Sequence, residues 1–332
     1  MKMGQMSLPR FETGRIMRSL VVPEDYGVRL HNVPECWKET RGAGITVAVL
    51  DTGCPDHPDL VISEFKNFTA DPVMDTVSGH STHVSGIIGA RGGDHGLTGI
   101  APECSLITGK ILDNQGQGSD VALAEGIRWA IEAGAKVVNM SLGAPPSAKA
   151  YFKRTVSALN LAYEQGVMVI CASGNENAGK VSLPACLDTT IAVGAVNSAR
   201  ERSWFSNRGR HLSFAAAGEN VLSTFKNDTY CELSGTSMAS PHIAGLCALI
   251  LSSHLNADKE TPIKDLEDMI EHLRRISVDF GTKGFDEDYG WGIPIFGHIN
   301  PDAPKVEDVE GKIQKGFSFL DSLMLLLQQR LK

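Results

Sequence analysis

No C-x-x-C pair occurs in these 332 residues; the seven cysteines, at 36, 54, 104, 171, 186, 231 and 247, are odd in number and widely scattered. That spacing argues against a zinc ribbon or a dithiol redox motif, and it fits a reducing compartment. Cys171 in VMVICA and Cys247 in GLCALIL read as small buried hydrophobes. A signal peptide is also missing: MKMGQMSLPRFETGRIMRSLVV has no uninterrupted apolar stretch of the needed length. The most apolar tail segment, FSFLDSLMLLL at 317–327, is too short to span a bilayer and carries Asp321. A cytoplasmic protein without a membrane span is expected. Basic excess is lacking too, since 31 Lys and Arg against 39 Asp and Glu leave a net charge of -8. Nucleic acid is therefore not an expected partner. There is no internal repeat and no low-complexity block.

What is present is a 42% hydrophobic content, able to fill a substantial core, and 34 glycines that suggest many tight turns. Short apolar runs at 45–51, 105–112, 135–143, 167–174 and 190–196 read as buried strands. Between the second and third lies SDVALAEGIRWAIEAG, a helix with Ser119 as N-cap and Gly134 as its stop. Another helix is expected at roughly 148–165. Strands separated by helices predict an α/β fold with a mostly parallel sheet and helices on both faces. In such sheets ligands gather where strands end. Three regions follow: an extension over 1–22, a main domain over 23–300, and a tail over 301–332. The tail's Phe319, Leu320, Leu323, Leu326 and Leu327 have helical spacing. They are expected to pack on the main body, with pairing of chains into a homo-oligomer or membrane contact as the alternatives.

Three groups of side chains stand where one element passes into another. Asp51 ends an apolar strand, His80 and His83 sit in GHSTHVSGIIGA, and Ser237 precedes a long apolar run in LSGTSMASPH. Each has an ordinary reading: a turn aspartate, structural histidines, a helix-capping serine. HSTH lacks the spacing and the glutamate of a zinc helix. Taken together, the order Asp, His, Ser is one of three known for the serine-protease triad.

VAVLDTG, GHSTHVSG and GTSMASPHIAG resemble the three signature segments of the subtilisin family of serine proteases, the subtilases. The resemblance runs from about Tyr26 to beyond His254. It implies a three-layer subtilisin-like fold and a serine endopeptidase acting on polypeptides. Ser237 would be the nucleophile, His80 its base and Asp51 the orienting acid. Asn175, in ICASGNEN, would supply the oxyanion hole with the backbone N–H of Ser237. Ser141, Leu142 and Gly143, with Ala172, Ser173 and Gly174, match the segments along which the family binds extended peptides.

Two departures matter. Ser81 replaces the glycine of the usual HGTH segment, where its hydroxymethyl group could crowd the imidazole or a substrate. Asp59 matches an aspartate that binds structural calcium in many relatives, but its partner loop RGGDHGL has Gly93, beside Asp94, at a usual ligand position. GNENAGK at 174–180 satisfies the G-x4-G-K pattern, yet Val181 replaces the metal-binding Ser or Thr and Pro184 interrupts any following helix. Cys54, Cys186 and the missing signal peptide look most like the intracellular branch. There a short N-terminal extension lies across the active site, and SLPRF at 7–11 loosely resembles its core. Two other readings stay open: a peptide ligase using the same acyl-enzyme, and a non-catalytic peptide binder.

Overall fold

Val47 and Val49 of the run TVAVLD pack into one apolar cluster, and Ala48 and Leu50 into another on the opposite side. This alternation is the pleat of a strand buried on both faces, which is why the run reads as continuously apolar. The computed structural model describes residues 5–17, 24–75, 77–92, 96–256 and 263–300.

In chain order the strands used below are β1 (Met6–Ser7), β2 (Glu12–Met17), β3 (Thr46–Asp51), β4 (Ile62–Asn67), β5 (Ser105–Lys110) and β6 (Gln117–Gly118), followed by β7 (Val137–Met140), β8 (Met168–Ala172), β9 (Ile191–Val196), β10 (Phe214–Ala217), β11 (Val221–Phe225) and β12 (Thr229–Ser234). The helices used below are α1 (Tyr26–Leu30), α2 (Val33–Cys36), α3 (His80–Gly89), α4 (Asp120–Glu132), α5 (Lys153–Glu164) and α6 (Thr236–Asn256). The five strands and the Ser119-capped helix expected from sequence are present, Ser119 accepting from the Ala122 N–H at 3.1 Å. The helix expected over 148–165 is split. A 3-10 turn covers Pro146–Tyr151 and α5 starts only at Lys153, after Phe152 buries its ring in the core.

Among the described residues seven strands form one parallel sheet in the order β10-β9-β8-β7-β3-β5-β4. From β3 the strand order runs outward in opposite directions, so the carboxyl end of β3 lies at the switch where such sheets place their chemistry. Helices α3 and α6 cover the Val47/Val49 face, and α4 and α5 cover the Ala48/Leu50 face. These are the three expected layers. Separately, β11 and β12 form an antiparallel hairpin, and β2 from the chain's start joins its edge. Among the described residues no helix is long and apolar enough to cross a membrane. The tail helix expected near 317–327 lies outside the described residues.

Candidate active site

Asp51 is the next residue after Val47 and Val49 on the same side of β3, so the pleat delivers its carboxylate to the face covered by α3 and α6. There His80, first residue of α3, presents Nδ1 to both carboxylate oxygens at 2.9 and 3.0 Å. Both side chains are fully buried. The Thr52 N–H donates to Asp51 Oδ1 at 2.7 Å. With Nδ1 facing an acceptor, the ring proton belongs on Nδ1 and the lone pair on Nε2. Nε2 has no hydrogen-bond partner among the described residues.

The turn before α3 fixes the ring's approach. Gly79 has φ +75°, and a Cβ there would lie 2.6 Å from the Phe225 ring, so only glycine fits. Behind the pair, Asp75 accepts from Thr52 Oγ1, Gly79 N, Thr82 N and Thr82 Oγ1 at 2.7–3.1 Å. Its carboxyl is raised above the ordinary value by burial, against those hydrogen bonds. Lys110, paired with Asp51 across β3 and β5, is buried and donates to the Thr52 carbonyl. Burial lowers its ammonium pKa, and Asp75, Asp71 and Asp51 oppose that. The β3-to-α3 junction is thus stapled by two buried ionisable groups.

Ser237 lies in the first turn of α6, within hydrogen-bond reach of the β7 end. Its hydroxyl donates to the Ser141 carbonyl at 3.3 Å rather than to His80, so the second link of the expected relay is not made in this state. The reason its backbone sits as it does is Pro241. Proline has no N–H to give the carbonyl four residues earlier. That freed Ser237 carbonyl accepts instead from Ser141 Oγ at 2.9 Å, which also bonds Ser240 Oγ.

Asn175 follows β8. Its Oδ1 accepts from Thr236 N at 2.9 Å and Thr236 Oγ1 at 2.8 Å. The two donors identify which end of the carboxamide is oxygen. The NH₂ end is left pointing outward, where it donates to the carbonyl of Arg10 at 2.7 Å.

Arg10 lies between β1 and β2, in the segment that runs past Asn175 and His80. Ser7 and Gly143 exchange both backbone hydrogen bonds at 3.0 and 2.9 Å, and Leu8 N donates to Gly116 O. Met6 pairs with Gly118 and is fully buried. The Phe11 ring then lies 5.1 Å from the His80 ring. Gly143 thus engages the extended backbone of the chain's own N-terminal segment. Leu142, Ala172 and Ser173 are buried, and Gly174 N bonds Thr236 Oγ1, so these support the cleft from behind. The opposite wall, residues 116–118, was not singled out from sequence. Its signal was GQG, two glycines just past the end of a parallel strand.

His83 bonds the carbonyls of Val221 and Cys231 through Nε2, tying α3 to the β11–β12 hairpin. Burial drives its pKa down to about 3, so it serves as a neutral strut. Ser81 does not crowd the imidazole. Its hydroxyl donates to the Gly53 carbonyl at 2.7 Å and its N–H to Thr52 Oγ1, joining α3 to the Asp51 turn. Asp59 Oδ2 accepts from Leu97 N at 2.8 Å and Tyr230 OH at 2.7 Å. A Cβ at Gly96 would collide with both Asp59 carboxylate oxygens and the Gly92 carbonyl, so three oxygens converge there. Gly93 and Asp94 lie outside the described residues. No group of three or more His, Cys, Asp or Glu suited to a metal occurs among the described residues. Cys171 and Cys247 are buried thiols.

Comparison with known proteins bears on this geometry. Residues 42–292 match the model of the subtilase family. The chain is 41% identical over 263 residues to the major intracellular serine protease of Bacillus subtilis, covering 74% of this chain and 80% of the relative. It is 38% identical over 262 residues to an intracellular serine protease of Paenibacillus polymyxa, covering 75% and 79%. To the minor extracellular protease Epr of Bacillus subtilis it is 37% identical over 275 residues, spanning 81% of this chain but only 41% of that protein. Because the family model matches residues 42–292 and two serine proteases match over most of their own length, the chain belongs to the subtilase family and is a serine peptidase of the hydrolase class.

Proposed function

We propose that the chain cuts internal peptide bonds of polypeptides through an acyl-enzyme on Ser237, inside the cell. The observation that carries this is the Arg10 carbonyl, held at 2.7 Å by the Asn175 amide, with Phe11 across the His80 ring. A peptide bond thus lies where an oxyanion donor and a general base meet, and the bond between Arg10 and Phe11 stands in the scissile position.

The chemistry follows from the atoms in place. The Ser237 hydroxyl leaves the Ser141 carbonyl and gives its proton to His80 Nε2 as Oγ bonds the substrate carbonyl carbon. The carbonyl's electron pair moves onto oxygen, where the Asn175 N–H and the Ser237 backbone N–H receive it. Collapse breaks the C–N bond, and Nε2–H protonates the departing amine. Water then repeats the sequence, releasing the acid and restoring Ser237. Asp51 holds the Nδ1–H tautomer and stabilises the imidazolium formed twice per turnover.

The same reading makes residues 1–22 an inhibitor in cis. Support comes from Ser7 on Gly143, Leu8 on Gly116, and Pro9, whose fixed φ and missing N–H stiffen the segment leading to the Arg10/Phe11 bond. Residence inside the cell is supported by the buried thiols of Cys171 and Cys247 and by two relatives named intracellular, while a third is named extracellular. Calcium at the Asp59 loop is supported by the three converging oxygens near Gly96. Its contribution would be to brace that loop, with no part in the bond-breaking steps.

Casein digestion by the chain with its extension loosened by Met6→Asp, and by the same chain carrying Ser237→Ala, with and without a calcium chelator, tests the reading. Loss of digestion on adding Ser237→Ala, and stoichiometric fluorophosphonate labelling of Ser237 in the loosened chain, are expected. Unlabelled Ser237 with retained peptide binding would make the chain a non-catalytic binder. A chelator that leaves the melting temperature unchanged would remove the calcium.

A further inference from the structure

From Glu12 to Met17 the chain stays paired to the body of the protein. Glu12 sits opposite Ser234, Thr13 opposite Leu233, Ile16 opposite Cys231 and Met17 opposite Tyr230, as β2 pairs antiparallel with β12. β12 leads through Gly235 and Thr236 directly into Ser237, so its outer edge is continuous with the scissile position. β2 gains little by its side chains: five of its six residues are exposed, and Ile16 is 58% exposed. The strand is held there by main-chain pairing, which any sequence can make. Without β2, one edge of β12 would present unpaired N–H and C=O groups. The exception to sequence tolerance is Gly14, opposite the register shift at Glu232. A Cβ at Gly14 would lie 3.2 Å from both the Glu232 Cβ and its carbonyl oxygen, which a bulky residue would strain.

We propose that the edge of β12 over residues 230–234 is a binding site for the leaving side of the substrate, taking residues two to seven past the scissile bond as a third antiparallel strand, with a small residue favoured at the fourth. This rests on reading the Arg10/Phe11 bond as the scissile position. The enzyme is thereby built for long extended polypeptides, recognised through backbone on both sides of the cut. Its own β2 occupies the site until displaced.

The test uses the full chain with its extension loosened by Met6→Asp and Ile16→Pro; Leu8→Asp with Thr13→Pro is a second such variant in case the first misfolds. Peptides share one acyl side ending in arginine and carry leaving sides Phe-Glu, Phe-Glu-Thr-Gly or Phe-Glu-Thr-Gly-Arg-Ile-Met. The expected result is at least a tenfold rise in kcat/KM from the two-residue to the seven-residue leaving side. N-methylation of the amides of its last three residues should abolish the rise, and valine at the fourth position should reduce it. Fluorophosphonate labelling runs in parallel. Labelled Ser237 with no advantage for the longer peptide, either in cleavage or in slowing the label, overturns the β12 site alone. Neither labelling nor cleavage overturns the proposed function and this inference with it.

Discussion

Thr236 gives Asn175 two hydrogen bonds, from N at 2.9 Å and Oγ1 at 2.8 Å, and so decides which end of the carboxamide faces the cleft. Replacing Asn175 with leucine should lower kcat by about 10²–10³, the range belonging to subtilisin's own oxyanion asparagine. Thr236→Val keeps the shape but removes one of the two anchors. Its kcat should fall by about tenfold with KM nearly unchanged, because the donor matters most when the oxygen carries charge. Steady-state kinetics on one peptide checks both; a Thr236→Val effect confined to KM would contradict the anchoring role.

Asp51→Asn should leave the fold intact and reduce kcat by about 10⁴ near neutral pH. An amide in place of the carboxylate can donate to Nδ1, favouring the tautomer whose Nε2 already bears hydrogen. Circular dichroism and burst kinetics separate this from unfolding.

Stability should fall on acidification. Burial lowers the His31 and His83 pKa values to about 3, with the His242 charge adding to the effect at His31. Both are therefore neutral in the folded chain while the unfolded chain protonates them below about 6.5. More protons on the unfolded state means that stability, complete above pH 6.5, is lost as pH drops toward 3. Each histidine contributes a slope of up to about 1.4 kcal/mol per pH unit. Urea unfolding at pH 7, 6 and 5 measures it, and His31→Leu should flatten the slope.

Ser81→Ala strips the Gly53 carbonyl of its 2.7 Å partner in a fully buried position. A loss of about 1–3 kcal/mol in unfolding free energy is expected, with kcat within a few-fold of wild type. A gain in stability would mean that the hydroxyl is a burden rather than a staple.

Met6→Asp should raise turnover of a short peptide by the full chain. Met6 is completely buried in the cluster that includes Ile111 and Leu112, and a carboxylate cannot remain there unpaired. Unseating β1 opens the acyl side of the cleft without touching Asp51, His80 or Ser237. Unchanged turnover would remove the inhibitory role of the extension.

Much of the site was legible because its parts are short and locally patterned. The TVAVLD run declares a strand buried on both faces, and its terminal aspartate inherits the parity of Val47 and Val49. SDVALAEGIRW announces its own N-cap. The signature segments around Asp51, His80 and Ser237 name the family by residue type and order. Harder to read was the helix near 148–165, because burial of Phe152 interrupts a stretch whose local propensities favour continuity.

By itself the sequence determined the strands, the main helices and membership of the subtilase family, since each depends on residues a few positions apart. Only the tertiary structure decided what 29, 61 or 165 residues of separation bring together: Asp51 with His80, Asn175 with Thr236, Asn175 with Arg10. It also decided that Ser81 bonds Gly53, that the carbonyl freed by Pro241 finds Ser141, and that β2 lies along β12. Hydrogen-bond directions and the packing of one strand edge on another are properties of a folded core, and no local period or motif encodes them.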